Sequence, residues 1–219
     1  MNRTSYDLED IREKLYSAVI SDALDSLGYR HQSPPIPFQA YSGIQKIVGR
    51  CKTTLWAEMY HDDPNPYALE LSAVDSCQPG DLLVAAAGGS RRSGIWGELL
   101  STAARNSGCV GALVHGCIRD ISKIQDMHFP VFATGRSVYD SLHRQRVIDV
   151  DVSVEIGGVT FPPGALVFCD EDGLVVVPLE VEAEAIDRAM QKMNAENITR
   201  QEIQNGMKAT EAYMKYGIL

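Results

Sequence analysis

Residues 97–121 read GELLSTAARNSGCVGALVHGCIRDI. Gly97 opens a helical stretch, and the apolar run VGALVH at 110–115 follows as a buried strand. Upstream, the turn Pro79-Gly80-Asp81 leads into LLVAAA at 82–87, a second buried strand, and then into the loop GGSRRSG at 88–94. Downstream, a helix from about Asp120 precedes the strand VFAT at 131–134. Strand, helix, strand, helix, strand in this order predicts a largely parallel sheet with crossover helices, hence an α/β fold.

Outward from this unit the pattern changes. Leu8, Ile11, Leu15, Val19, Ala23 and Leu27 recur in steps of three and four and predict one helix ending at Gly28. RHQSPPIPF at 30–38 is a loop, 43–57 reads mostly as strand, and HDDPNP breaks it, with His61, Asp62 and Asp63 read as facing solvent. A helix is predicted over 67–77. After Val147, short strands alternate with Gly157-Gly158, PPG and DEDG, which predicts an antiparallel β region whose Asp170–Gly173 is a hairpin turn. A helical tail follows from 179 to 216, with Glu180, Glu182 and Glu184 placed where the helix dipole favours them. The expectation is a single domain over 1–219 with a C-terminal helical extension at about 179–219.

The 219 residues are 45% hydrophobic and 22% charged, ordinary for a globular chain, and no apolar run approaches the roughly 18 residues of a membrane helix. The opening MNRTSYDLEDIREKL lacks the layout of a signal peptide, which predicts a cytoplasmic protein with no membrane partner. Cysteines 51, 77, 109, 117 and 169 form no CxxC and are read as reduced, buried small residues. The formal net charge of −9 opposes direct binding of nucleic acid and leaves a basic protein segment as a conceivable partner.

Glu98 falls in the first turn of its helix, where the backbone N–H groups of Leu99 and Leu100 can point at an anion such as a substrate carboxylate. Arg119 and Asp120 fall at the carboxyl end of the following strand, where open α/β sheets place ligands. One guanidinium, two carboxylates and a helix N-terminus around one point suit an oxygen-ligated Mg2+ or Mn2+ together with a small 2-oxo acid, whose enolate the cations stabilise. Spacing alone leaves simpler roles open: Glu98 serving the dipole, Asp120 capping a helix, Arg119 on the surface.

Gly97-Glu98-Leu99-Leu100, Gly116-Cys117-Ile118-Arg119-Asp120 and Phe129-Pro130-Val131-Phe132 closely resemble the RraA-like family. Pro79-Gly80-Asp81, DEDGLVVVP and the KYGIL ending resemble it too. That family includes metal-dependent 4-hydroxy-4-methyl-2-oxoglutarate/4-carboxy-4-hydroxy-2-oxoadipate aldolases and the regulator of ribonuclease E activity A. The resemblance implies a swivelling β/β/α-type domain and a homotrimer or higher oligomer. It implies that Asp120 holds the metal, that Arg119 contacts the keto oxygen and that the Leu99 and Leu100 amides, beyond Gly97, hold the carboxylate. The family aldolases have Asp where this chain has Glu98, and a neighbouring subunit's C-terminal helix adds an acidic residue, for which Glu196 is the candidate here.

The first functional expectation is therefore a metal-dependent lyase that releases pyruvate from a 4-hydroxy-2-oxo acid and decarboxylates oxaloacetate as a side reaction, with Arg119, Glu98 and Asp120 catalytic. The alternative is a non-catalytic regulator that binds a protein through its acidic surface. Arg91 and Arg92 in the 88–94 loop are read as solvated or as closing over an anion, and His115 as structural or as a proton shuttle. Lys123 could in principle form a Schiff base.

Overall fold

The computed structural model describes residues 3–218, so Met1, Asn2 and the Leu219 of KYGIL lie outside the described residues. The parallel heart of the sheet consists of β2 (Ile47–Glu58), β3 (Asp81–Ala86), β5 (Gly111–Ile118) and β6 (Val131–Arg136). With β1 (Gln39–Ala40), β10 (Leu166–Cys169) and β11 (Leu174–Val177) they form the order β1-β6-β5-β3-β2-β10-β11. β4 (Gly94–Trp96) pairs with β5, and β7 (Gln145–Val150) pairs with β2, completing nine strands. β8 (Val154–Ile156) and β9 (Val159–Phe161) make a separate hairpin. The β2–β3, β3–β5, β4–β5 and β5–β6 pairs are parallel, while β10–β2, β10–β11, β2–β7 and β1–β6 are antiparallel.

Alternation along the parallel strands explains the layers. Leu83, Ala85, Ala112, Val114, Val131 and Ala133 turn to one face, where α3 (Ala68–Asp75), α4 (Glu98–Asn106) and α5 (Ile121–Asp126) cover them with Val74, Ala104 and Ile124. Leu82, Val84, Ala86, Leu113 and Phe132 turn to the other, against Ile156 and Phe161 of the small hairpin and Val167 and Val176 of β10–β11. Both faces are buried, which is why these strands read as unbroken apolar runs. The stack of helices, sheet and hairpin layer matches the β/β/α arrangement implied by the family resemblance.

A third cluster joins α1 (Leu8–Lys14) and α2 (Ser17–Ser26) to β10–β11 and to α6 (Glu182–Gln204), through Ile11, Leu15, Ile20, Leu24, Phe168, Val175 and Ile186. The apolar period predicted one helix here, yet Leu15 and Tyr16 are extended and break it. The reason is tertiary. Asp170, in the β10–β11 turn, accepts from the Ser17 amide at 2.8 Å and its hydroxyl at 2.6 Å, satisfying α2's first turn from across the fold. The tail also divides, into α6 and α7 (Ala209–Tyr216).

Three further expectations are corrected. The stretch after Arg92 is not all loop, because Gly94–Trp96 adds in parallel to β5. The run 147–156 is not one strand: it splits between β7 and β8, with Asp151 in the left-handed region at φ 57°. Asp63 does not face solvent, being buried in an ion pair with Arg146. All five cysteines are buried free thiols. No helix among the described residues is long and apolar enough to cross a membrane.

Candidate active site

β5 carries Arg119 and Asp120 just past its carboxyl end, and β4 lies beside it, with the Arg119 amide donating to the Trp96 carbonyl at 2.9 Å. The chain then turns into α4 through Gly97, an extended N-cap with no side chain to offer. Gly97 is required by proximity rather than by backbone freedom. A Cβ there would sit 2.7 Å from Asp120 Oδ2 and 3.3 Å from Arg119 Cγ.

Asp120 sits at φ 56°, ψ 35°, in the left-handed region that non-glycine residues seldom occupy. Although it occupies the N-cap position of α5, its side chain does not cap that helix. It turns instead to α4, accepting from the Glu98 amide at 3.3 Å. Strain of this kind is kept where the surroundings over-determine a side chain's direction, and here the direction is toward the cleft. The amides of Leu99 and Leu100, in the same first turn, have no intrahelical acceptor and remain available to an anion.

Gly97, Leu99, Leu100, Arg119 and Asp120 line one cleft of about 300 Å³, opposite Tyr67, Glu70 and Asp140. A second, wider recess of about 610 Å³ lies on the other side of Arg119 and Asp120, against Arg136, Ser137 and Val138. The Arg-Asp pair is thus the wall shared by both. Arg119 Nη2 is 2.8 Å from Asp140 Oδ2, and its Nε is 3.9 Å from Asp120 Oδ2.

Asp140 also accepts from the Tyr67 hydroxyl at 2.7 Å and the Leu142 amide at 2.8 Å. Burial works against its ionisation, but the Leu142 amide, Tyr67 and Arg119 together outweigh burial and hold its carboxyl below the usual range. The Tyr67 phenol is pushed up to about 12, by burial first and then by the Asp140 carboxylate it serves. Glu70 behaves oppositely: burial first, and Asp140's charge second, push it up to about 8 against the pull of Arg119.

Sequence reasoning brought five of its six site residues to this cleft. Glu98 meets Asp120 through its backbone N–H and not through its carboxylate. Its Oε1 accepts from Thr102 Oγ1 one turn along α4 at 3.0 Å, and its side chain lines a separate shallow recess with Lys123, Asp126 and Met127. Lys123 therefore stands away from the cleft as well. Glu196 is elsewhere, on α6, bonded by the Tyr16 hydroxyl and 3.7 Å from Arg200. Arg92 pairs with Glu58 at 2.9 Å and stacks on Tyr60. Burial lowers the His115 ring's basicity, and its Nδ1 has no partner among the described residues. Tyr67, Glu70 and Asp140 were missed, and for Asp140 a signal existed: an Asp two residues before the amide it accepts from is an Asx turn.

The donor set can be weighed against a divalent cation. No group of three or more His, Cys, Asp or Glu suited to a metal occurs among the described residues; Asp140 is engaged by Arg119 and Tyr67, and Asp120 offers a half-exposed carboxylate. Mg2+ keeps several waters and binds through one or two carboxylates plus substrate oxygens, so this set fits hydrated Mg2+ or Mn2+, whereas zinc favours N and S ligands.

A strand-borne Arg-Asp pair facing a helix N-terminus has the chemistry to receive a small anionic ligand. Residues 17–176 match the family model for RraA-like proteins, Aldolase/RraA, and the chain belongs to that family. It is 37% identical over 139 residues, 64% of this chain and 82% of the other, to an Aromatoleum aromaticum protein named "Putative 4-hydroxy-4-methyl-2-oxoglutarate aldolase". An uncharacterized protein from Pseudomonas syringae pv. tomato superposes with a TM-score of 0.84 at 30% identity, over 95% of this chain and 93% of that one. A Streptomyces coelicolor structure described as an unusual member of the RNase ES inhibitor RraA protein family gives a TM-score of 0.76 at 30% identity, over 88% and 94%.

Proposed function

We propose that this protein is a divalent-metal-dependent lyase that cleaves a 4-hydroxy-2-oxo acid such as 4-hydroxy-4-methyl-2-oxoglutarate and releases pyruvate. The observation that carries this reading is the convergence of Arg119, Asp120 and the free amides of Leu99 and Leu100 on one cleft. The 1-carboxylate docks on those amides, where the α4 dipole favours negative charge. Arg119, steadied by Asp140, donates to the 2-keto oxygen and stabilises the enolate left when the C3–C4 bond breaks. Asp120 would hold Mg2+ or Mn2+, which supplies Lewis-acid polarisation at that oxygen. The exposed Leu99, 77% accessible at the cleft rim, fits an oligomer in which a neighbour covers it, with Glu196 of that neighbour as the candidate extra acid.

Coupled lactate dehydrogenase assays on racemic 4-hydroxy-4-methyl-2-oxoglutarate test the reading. Pyruvate release should require Mg2+ or Mn2+, stop with EDTA and vanish in Asp120→Ala. Full activity of that variant overturns the assignment. A regulator acting through an acidic surface is the second reading, favoured by the net charge of −9 and the similarity to the Streptomyces protein. Salt-sensitive capture of a protein partner, unaffected by Asp120→Ala and without turnover, would select it.

A further inference from the structure

Glu70 is the least explained side chain of the cleft. It lies in the first turn of α3, only 6% exposed, yet it lines the cavity that Arg119 and Leu100 line. Its Oε2 is buried and has no hydrogen-bond partner among the described residues. A buried carboxyl oxygen left unpaired is unfavourable, and native structures keep such groups where a ligand or a reaction completes them.

The neighbours leave Glu70 distinct in chemistry. Asp140 already accepts from Tyr67, Leu142 and Arg119 and is a weak base. Tyr67 donates a hydrogen bond to Asp140 and keeps its own proton. From β4 and α4 the cleft presents Ile95, Leu99 and Leu100, which carry no charge. Asp120 lines the same cleft from beyond β5, and the charges that bear on Glu70 are Arg119, just past β5, and Asp140, in the segment after β6, with opposite sign. The outcome is a carboxyl that changes protonation near neutral pH, as proton transfer requires.

We propose that Glu70 is the catalytic base and acid of the cleavage, taking the proton of the substrate's C4 hydroxyl and returning it to C3 of the enolate. This rests on the aldolase reading above. With the 1-carboxylate on α4 and the keto oxygen on Arg119, the C4 hydroxyl lies two carbons on, toward the α3 wall. The Glu70 carboxylate takes the hydroxyl proton, and the O–H pair becomes the second bond of the C4 carbonyl. The C3–C4 pair becomes the C2–C3 double bond, and the C2 carbonyl pair moves to oxygen beside Arg119. Once the carbonyl product has left, the Glu70 carboxyl protonates C3, giving pyruvate and restoring the carboxylate. Oxaloacetate has no hydroxyl proton to remove, so its decarboxylation uses the same enolate pocket without this base, and solvent protonates the enolate.

The test compares wild type with Glu70→Gln, of nearly equal shape, under Mg2+ on both substrates. Cleavage of 4-hydroxy-4-methyl-2-oxoglutarate should fall about 100-fold or more, while oxaloacetate decarboxylation stays within about threefold and the melting temperature does not fall. The wild-type kcat/KM for cleavage should rise with pH to a limb near 8 that the variant lacks. Cleavage within a few-fold of wild type, or a parallel loss of both reactions, overturns the role of Glu70 and leaves the aldolase reading standing. A wild-type chain inert on both substrates overturns the aldolase reading, and the base with it.

Discussion

Arg119 Nη2 lies 2.8 Å from Asp140 Oδ2, and that same carboxylate is anchored by Tyr67 and the Leu142 amide. The guanidinium is therefore aimed by a residue 21 positions later in the chain. Asp140→Ala should lower kcat/KM about 10- to 100-fold through a misdirected Arg119, with little loss of fold. In Asp140→Asn the lost charge should move the pH limb assigned to Glu70 downward. Steady-state kinetics across pH checks both.

Gly97→Ala should be a site-specific lesion. The backbone at φ −149° accepts alanine, but the new Cβ would press on Asp120 Oδ2 at 2.7 Å. Turnover should drop about 100-fold while thermal melting changes little, as far-ultraviolet circular dichroism and the pyruvate assay would report.

Asp120→Gly separates strain from function. Glycine accepts φ 56° freely, so stability should stay within about 0.5 kcal/mol of wild type while metal-dependent turnover is lost. Urea titration beside the coupled assay would show whether the two properties part.

Glu70 implies a stability effect of definite sign. Its carboxyl is raised, by burial first, from an ordinary carboxylate value to about 8, so the folded state keeps a proton that the unfolded chain releases. That contribution is complete below about pH 4.3 and is lost as pH rises through about 8. Glu70→Gln should therefore match wild type near pH 4 and exceed it by a few kcal/mol, as an order of magnitude, at pH 8 and above. Melting curves at the two pH values check this.

Glu182 carries the opposite sign. Its carboxylate is buried at the start of α6, bonded by Arg50 Nη1 at 2.7 Å and Nη2 at 2.9 Å and by the Thr4 amide at 3.0 Å. Burial opposes its ionisation, but Arg50 and Thr4 prevail and lower its pKa. Its stabilisation is present above about pH 4.3 and is lost as pH falls through the lowered value. Arg50→Met, which strands a buried charge, should cost about 3–5 kcal/mol at pH 7, with a smaller deficit in acid. Urea unfolding at pH 7 and pH 4 measures the difference.

The alternation of apolar runs around 82–134 determined the parallel strands and their crossover helices, because residues spaced by two or by about 3.6 can bury one face only as strand or helix. Local chemistry likewise placed Arg119 and Asp120 at a strand end and Gly97 at a helix start, since spacing along the chain sets where a crossover returns. Tertiary structure decided what periodicity does not encode. The break at Leu15–Tyr16 depends on Asp170, which satisfies α2 from a distant turn. Glu98, one residue from the expected contact, sends its carboxylate along its own helix to Thr102. Glu70, flanked by Leu69 and Leu71, reads in sequence as one more helix carboxylate; only the packing of α3 and α4 and the approach of Asp140 and Arg119 bury it and shift its proton affinity. Burial and long-range charge are properties of the assembled space around a residue, and the order of residues specifies them only through the whole fold.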